Sequence, residues 1–107
     1  MIEELGPDEL QRRRQAGELW QILDVREPWE IEIASVTGTL NIPMAEVAGR
    51  MGELDPAHPT AVLCHSGKRS RCVAEFLLQN GYRRVVNIAG GIDAWSLTVD
   101  ASVPRYR

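Results

Sequence analysis

Ala61-Val62-Leu63-Cys64-His65-Ser66-Gly67-Lys68-Arg69-Ser70 joins a short apolar run, ending on a cysteine, to a polar turn and then to an amphipathic segment. Val73, Phe76 and Leu77 recur at helical spacing and Gly81 stands where a helix would stop, so the spacing predicts a helix over 70–80. The first amides of a helix lack intrahelical acceptors, and with the preceding loop amides they can converge on an anion. A thiolate at Cys64 is such an anion. An ordinary thiol, pKa about 8.5, is ionised only to ~3% at pH 7, and lowering that value by about two units makes the thiolate the majority form. Lys68, Arg69 and Arg71 lie close in sequence and add positive potential, as His65 would if protonated. The plainer reading makes Cys64 a small apolar residue at the end of a buried strand. A glycine and several cations in the turn weigh against it, because a purely structural turn gains little from them.

Outward from this stretch, apolar β-branched runs alternate with helical patterns. Strands are expected over 2–5, 20–25, 39–42, 60–64 and 84–88, and helices over 7–15, 28–33, 44–54, 70–80 and from Gly91 onward. Pro7 suits a first helical turn and Gly17 a stop. The alternation argues for an α/β chain, a parallel sheet covered on both faces. Ligands of such sheets bind at the carboxyl ends of strands, where Cys64 falls.

Composition excludes several classes. At 107 residues, 44% hydrophobic and 25% charged, residues 1–107 fit a single domain with a modest core. No apolar run approaches the ~20 residues that span a bilayer, and the acidic start Met1-Ile2-Glu3-Glu4-Leu5 leads into a helix rather than a secretory signal. The cluster Arg12-Arg13-Arg14 invites a nucleic-acid reading, but Glu9 and Glu18 flank it and the formal charge is −3, so a solvated helix face is expected. Two histidines and two cysteines, none at metal-ligand spacing, give a zinc site no support. Two cysteines, one in a reactive setting, suit a reducing compartment, with the cytoplasm as the default.

Cys64-His65-Ser66-Gly67-Lys68-Arg69-Ser70 resembles the active-site loop of the rhodanese-like sulfurtransferases. Asp24-Val25-Arg26-Glu27-Pro28-Trp29-Glu30, Gly38-Thr39-Leu40-Asn41-Ile42-Pro43 and Asn87-Ile88-Ala89-Gly90-Gly91-Ile92-Asp93-Ala94-Trp95 resemble three further segments of that family, in the family's order. One departure is local: where the family commonly has Gly-His-Ile, this chain reads Ala34-Ser35-Val36. The resemblance implies a three-layer rhodanese-like α/β fold with a mostly parallel five-stranded sheet and helices on both faces. It also implies a double displacement. Cys64 takes sulfane sulfur from thiosulfate or a similar donor as a persulfide and passes it to cyanide or a thiol, with His65, Ser66, Gly67, Lys68 and Arg69 binding the substrate and no metal or organic cofactor. A persulfide carrier serving a protein acceptor, and a binding module on the same fold, remain open. Phosphatases and arsenate reductases of this fold use a loop one residue longer, so the spacing from Cys64 to Arg69 favours sulfur over phosphoryl transfer, although Arg71 stands one residue beyond the place, Ser70, where the longer loop would put its arginine.

Other residues carry two readings each. His65 either tunes the thiol or points away from it, and His58, between Pro56 and Pro59, is expected to be exposed. Cys72 is either an edge residue of its helix or a resolving thiol. Asp24, Arg26 and Glu30 are expected to be local architecture rather than an acid and base set, and Trp95 to seal the core rather than to bind substrate. The tail from Ser96 to Arg107 either packs along the domain or stays mobile.

Overall fold

The computed structural model describes residues 2–106. Five strands form one sheet: β1 (Glu3–Leu5), β2 (Gln21–Asp24), β3 (Leu40–Asn41), β4 (Thr60–Leu63) and β5 (Val85–Ile88). Their order is β1-β5-β4-β2-β3 and every pairing is parallel, which makes the expected sheet wholly rather than mostly parallel among the described residues. The intervening helices are α1 (Pro7–Gln15), α2 (Pro28–Ile33), α3 (Val47–Arg50), α4 (Lys68–Gln79) and α5 (Gly91–Thr98).

Strand β4 lies at the centre, with Ile22 beside Ala61 on one flank and Val86 beside Ala61 on the other. Successive side chains of a strand face opposite ways. Ala61 and Leu63 accordingly enter the core layer holding Leu10, Ile92 and Trp95, while Val62 and Cys64 enter the layer holding Val47, Val73 and Leu77. Burial on both faces explains why β4 reads as a continuous apolar run. Trp95 is buried in the first layer.

Two expected helices are altered. The helix expected over 44–54 is a 3₁₀ turn (Met44–Glu46), the single turn α3 and a second 3₁₀ turn (Met51–Glu53). Gly49 and Gly52 weaken the helix at its middle, and the segment is clasped instead by Arg50, which bonds Glu46 at 3.0 Å and Glu53 at 2.7 Å. Helix α4 begins at Lys68, two residues before the expected start, because Gly67 forms its cap. The tail packs: Val103 is buried, and its carbonyl accepts the Ser96 hydroxyl at 2.6 Å.

Candidate functional site

Cys64 follows the last residue of β4 and is 1% exposed. The loop after it is turned by α5, where the Ile92 amide donates to the Cys64 carbonyl at 2.8 Å and the Asp93 amide to the His65 carbonyl at 3.2 Å. With those carbonyls directed at α5, the loop's far side faces the sulfur, and the Gly67 amide donates to Sγ at 3.0 Å. Ser70, in the first turn of α4, places its hydroxyl 3.2 Å from Sγ. Of the amides expected to surround the sulfur, Gly67 is the one within bonding distance.

Both Gly67 and Ser70 rest on Asn87. This fully buried side chain on β5 donates to the Gly67 carbonyl at 3.0 Å and to the Glu4 carboxylate at 3.0 and 3.1 Å, and its Oδ1 accepts from the Ser70 hydroxyl. Since every partner of Nδ2 is a pure acceptor, the amide has one orientation and Oδ1 must face Ser70. Sequence reasoning gave Asn87 no role. The available signal was a lone amide between Val85, Val86 and Ile88, because a buried polar residue is the informative exception.

Charge at the loop differs from expectation. Arg69 is bound in bidentate fashion by Glu30 at 2.6 and 2.8 Å, and Arg71 is bound by Glu4 at 2.9 Å. Lys68 alone of the three makes no ion pair among the described residues, so the loop presents one uncompensated cation rather than three. Arg71 is bonded to Glu4 of β1.

Glu30 is where the structure adds most to the sequence reading. Asp24 and Arg26 do form local architecture, a wholly buried pair at 2.7 Å. Glu30, in contrast, reaches the loop. Besides Arg69, its carboxylate accepts from the Glu27 amide at 3.1 Å and from the Tyr106 hydroxyl at 2.7 Å. The Arg69 guanidinium, with these other donors, holds the Glu30 carboxyl at about 2 against burial, and Glu30 in turn raises Arg69.

A pH dependence follows from the depressed carboxyl. Ionised Glu30 stabilises the folded chain fully above its ordinary 4.5, and that contribution is lost as the pH falls toward 2. It is on the order of 3 kcal/mol. Glu30→Gln is therefore expected to melt lower than the wild type at pH 7 and to lose less stability between pH 5 and pH 3, as read from melting curves of the two proteins across that interval. Parallel curves would contradict the assignment.

His65 is stacked on Tyr106, with ring centroids 4.3 Å apart and planes 15° from parallel, so its ring is held by the tail rather than by the sulfur. Ser66 is exposed in the loop. His58 is exposed, 3.7 Å from Asp55. Cys72 is exposed on α4, in an apolar groove with Met44, Val47 and Phe76. Ser35, at the departure from the family pattern, is exposed between buried Ala34 and Val36. The arginine cluster on α1 is engaged by its own helix, Arg12 with Asp8 and Glu9, and Arg13 with Glu9. Among the described residues no group of three His, Cys, Asp or Glu side chains is arranged to hold a metal ion, and no helix is long and apolar enough to cross a membrane.

A parallel sheet whose central strand delivers a buried sulfur to a loop closed by two helices defines an α/β protein built around one cysteine. The chain belongs to the rhodanese-like domain family, whose model matches residues 6–98. It is 46% identical over 90 residues to a rhodanese-like/PpiC domain-containing chloroplastic protein 12 of Arabidopsis thaliana, covering 80% of this chain and 30% of that one. It is 34% identical over 95 residues to a putative sulfur carrier protein of Bacillus subtilis, covering 89% of this chain and 51% of that protein. A sulfurtransferase of Allochromatium vinosum is 34% identical over 96 residues, 90% of each chain. The chain thus spans about a third and a half of the first two relatives and nearly all of the third.

Solved structures agree. A rhodanese-related protein of Thermoplasma volcanium superposes with a TM-score of 0.82 at 32% identity, covering 92% of this chain and 94% of that one. A thiosulfate sulfurtransferase of Pseudomonas aeruginosa gives 0.81 at 28% identity, covering 99% of this chain and 21% of that one. The fold is the rhodanese fold, and the family is one of sulfurtransferases and sulfur carriers.

Proposed function

We propose that this protein is a sulfurtransferase that moves sulfane sulfur from thiosulfate, or a similar donor, through a persulfide on Cys64 to cyanide or a thiol acceptor. The observation that carries the reading is the Cys64 sulfur itself, at the end of the central strand, with the Gly67 amide and the Ser70 hydroxyl on Sγ at the start of α4. Negative charge on that sulfur meets the Gly67 amide already in place, while the single Ser70 hydrogen is given to Asn87 Oδ1.

In the first half-reaction the Cys64 thiolate attacks the outer sulfur of thiosulfate. A sulfur–sulfur bond forms to Cys64, the bond within thiosulfate breaks, and its electron pair leaves with sulfite. In the second, cyanide or a thiolate attacks the outer sulfur of the persulfide, and the pair of the breaking bond returns to Cys64. Thiocyanate or a new persulfide departs, and no net redox change or external oxidant is needed. The Gly67 amide serves the sulfur, whereas Lys68 attracts the anionic donor and Arg69 orients it. His65 and Ser66 complete the mouth of the loop. The two free thiols suit a reducing compartment, the cytoplasm by default.

Thiocyanate production from thiosulfate and cyanide tests this reading, with Cys64→Ala expected to show none above background. Lys68→Ala is expected to raise the KM for thiosulfate by about 3- to 10-fold, an effect that shrinks at high salt because an exposed charge is screened. An unchanged KM would remove Lys68 from the role. The name borne by the Bacillus relative favours one variant of the reading, in which the final acceptor is a protein thiol; slow turnover with cyanide beside rapid persulfide formation would select it.

A further inference from the structure

The last described residue lies closer to the site than its place in sequence suggests. Tyr106 stacks on His65, meets Trp29 edge-on at 6.3 Å, and inserts its hydroxyl between Arg26 and Glu30. A clasp brings it there: Val103 is buried, the Ser96 hydroxyl holds the Val103 carbonyl, and Arg105 bonds Asp93 at 2.7 Å.

The direction of each bond through that hydroxyl is determined by its neighbours. Arg26 can only donate, and does so from Nη1 at 2.9 Å. Ionised Glu30 can only accept, and takes the single hydroxyl hydrogen at 2.7 Å. Burial holds the Tyr106 hydroxyl at about 12, so it stays protonated through the neutral range. Arg26 is itself immobile, tied to Asp24 and, at 2.9 Å, to the Ala34 carbonyl. A continuous chain therefore runs from a fixed buried pair through Tyr106 and Glu30 to the Arg69 guanidinium.

Glu30 occupies two of the five N–H groups of Arg69, which leaves three in a plane whose orientation Glu30 sets. The Arg69 side chain is 35% exposed, and those three make no protein hydrogen bond among the described residues. We propose that Tyr106 is a positioning residue for the anionic sulfur donor: by fixing Glu30 between Arg26 and Arg69 it fixes the guanidinium that receives the donor's sulfonate oxygens, and its ring holds His65 beside them. This rests on the sulfurtransferase reading for the identity of the donor, but not for the geometry.

The test is a double-variant cycle on the full chain. Tyr106→Phe keeps the ring and deletes the hydroxyl. Its KM for thiosulfate is expected to rise about 3- to 10-fold with kcat within about twofold, the split that marks lost ground-state binding. In an Arg69→Ala background the same substitution is expected to change KM by less than about 1.5-fold, because the link it cuts no longer leads anywhere. A residue that merely sealed the fold would act alike in both backgrounds, and equal effects with and without Arg69 overturn the proposal. Should Tyr106→Phe fail to fold, Glu30→Gln cuts the same chain one link nearer Arg69 and carries the same cycle.

A second readout needs no sulfur transfer. Alkylation of Cys64, located by peptide mass, is followed with anionic iodoacetate and neutral iodoacetamide. The iodoacetate preference is expected to fall in Tyr106→Phe and to be insensitive to that change once Arg69 is gone. Should this hold while no donor loads the cysteine, the sulfurtransferase reading fails and the positioning role stands; should transfer proceed while the cycle is additive, the reverse is true.

Discussion

Gly91→Ala is expected to lower stability by about 3–5 kcal/mol and to abolish the loop geometry at Cys64. Gly91 opens α5 at φ +58°, a left-handed conformation that costs an L side chain about 1–2 kcal/mol. Steric contact costs more. A Cβ there would lie 2.4 Å from the Cys64 carbonyl oxygen and 2.5 Å from that of His65, and both are backbone atoms that cannot swing aside. Those same oxygens accept the Ile92 and Asp93 amides, so relieving the clash means releasing the loop from α5. At about 4–8 °C per kcal/mol for a domain of this size, the melting temperature should fall by roughly 12 °C or more. Gly81→Ala supplies the control: φ is +89° but nothing lies within 4 Å, so only the conformational cost remains. Comparable melting losses in the two variants would show that the clash at Gly91 contributes little beside the backbone conformation.

Asp24→Asn is expected to cost about 3–5 kcal/mol, because it leaves the buried Arg26 charge without its counter-charge. Both side chains are fully buried, and Arg26 meets Asp24 through Nε and Nη2 at 2.7–3.1 Å. Burial opposes the Arg26 charge, yet bonds to Asp24 and Tyr106 more than offset it and raise the guanidinium. Removing one partner leaves the desolvation cost standing. Replacing both, as Asp24→Leu with Arg26→Met, is expected to recover part of the loss, since a buried pair and an apolar pair of similar volume are often near equal. Chemical denaturation of the three proteins measures this. A single variant no less stable than the double would refute the uncompensated-charge explanation.

The central part of the molecule was legible in the sequence because its signals are local. An apolar run ending in Cys64, a glycine in the turn and helical spacing over Val73, Phe76 and Leu77 are enough to set strand, loop and helix in place. What escaped is contact between distant segments. Glu30 and Arg69 are 39 residues apart, Ser70 and Asn87 are 17 apart, and Glu30 and Tyr106 are 76 apart. No periodicity links such positions, and the acidic partners of Arg69 and Arg71 could not be assigned without the fold. For that reason the loop looked more cationic in sequence than it is in space. The broken helix over 44–54 is a different kind of miss: Gly49 and Gly52 were visible, and their joint cost outweighed the apolar spacing around them.

The most direct test of sulfur transfer through Cys64 is the intact mass of the reduced protein after incubation with excess thiosulfate, before and after cyanide, with Cys64→Ala beside it. The expected result is a gain of one sulfur atom, about 32 Da, that cyanide removes and the variant never shows. An equal gain in Cys64→Ala, or no gain in the wild type with thiosulfate or any other sulfane-sulfur donor, would contradict it.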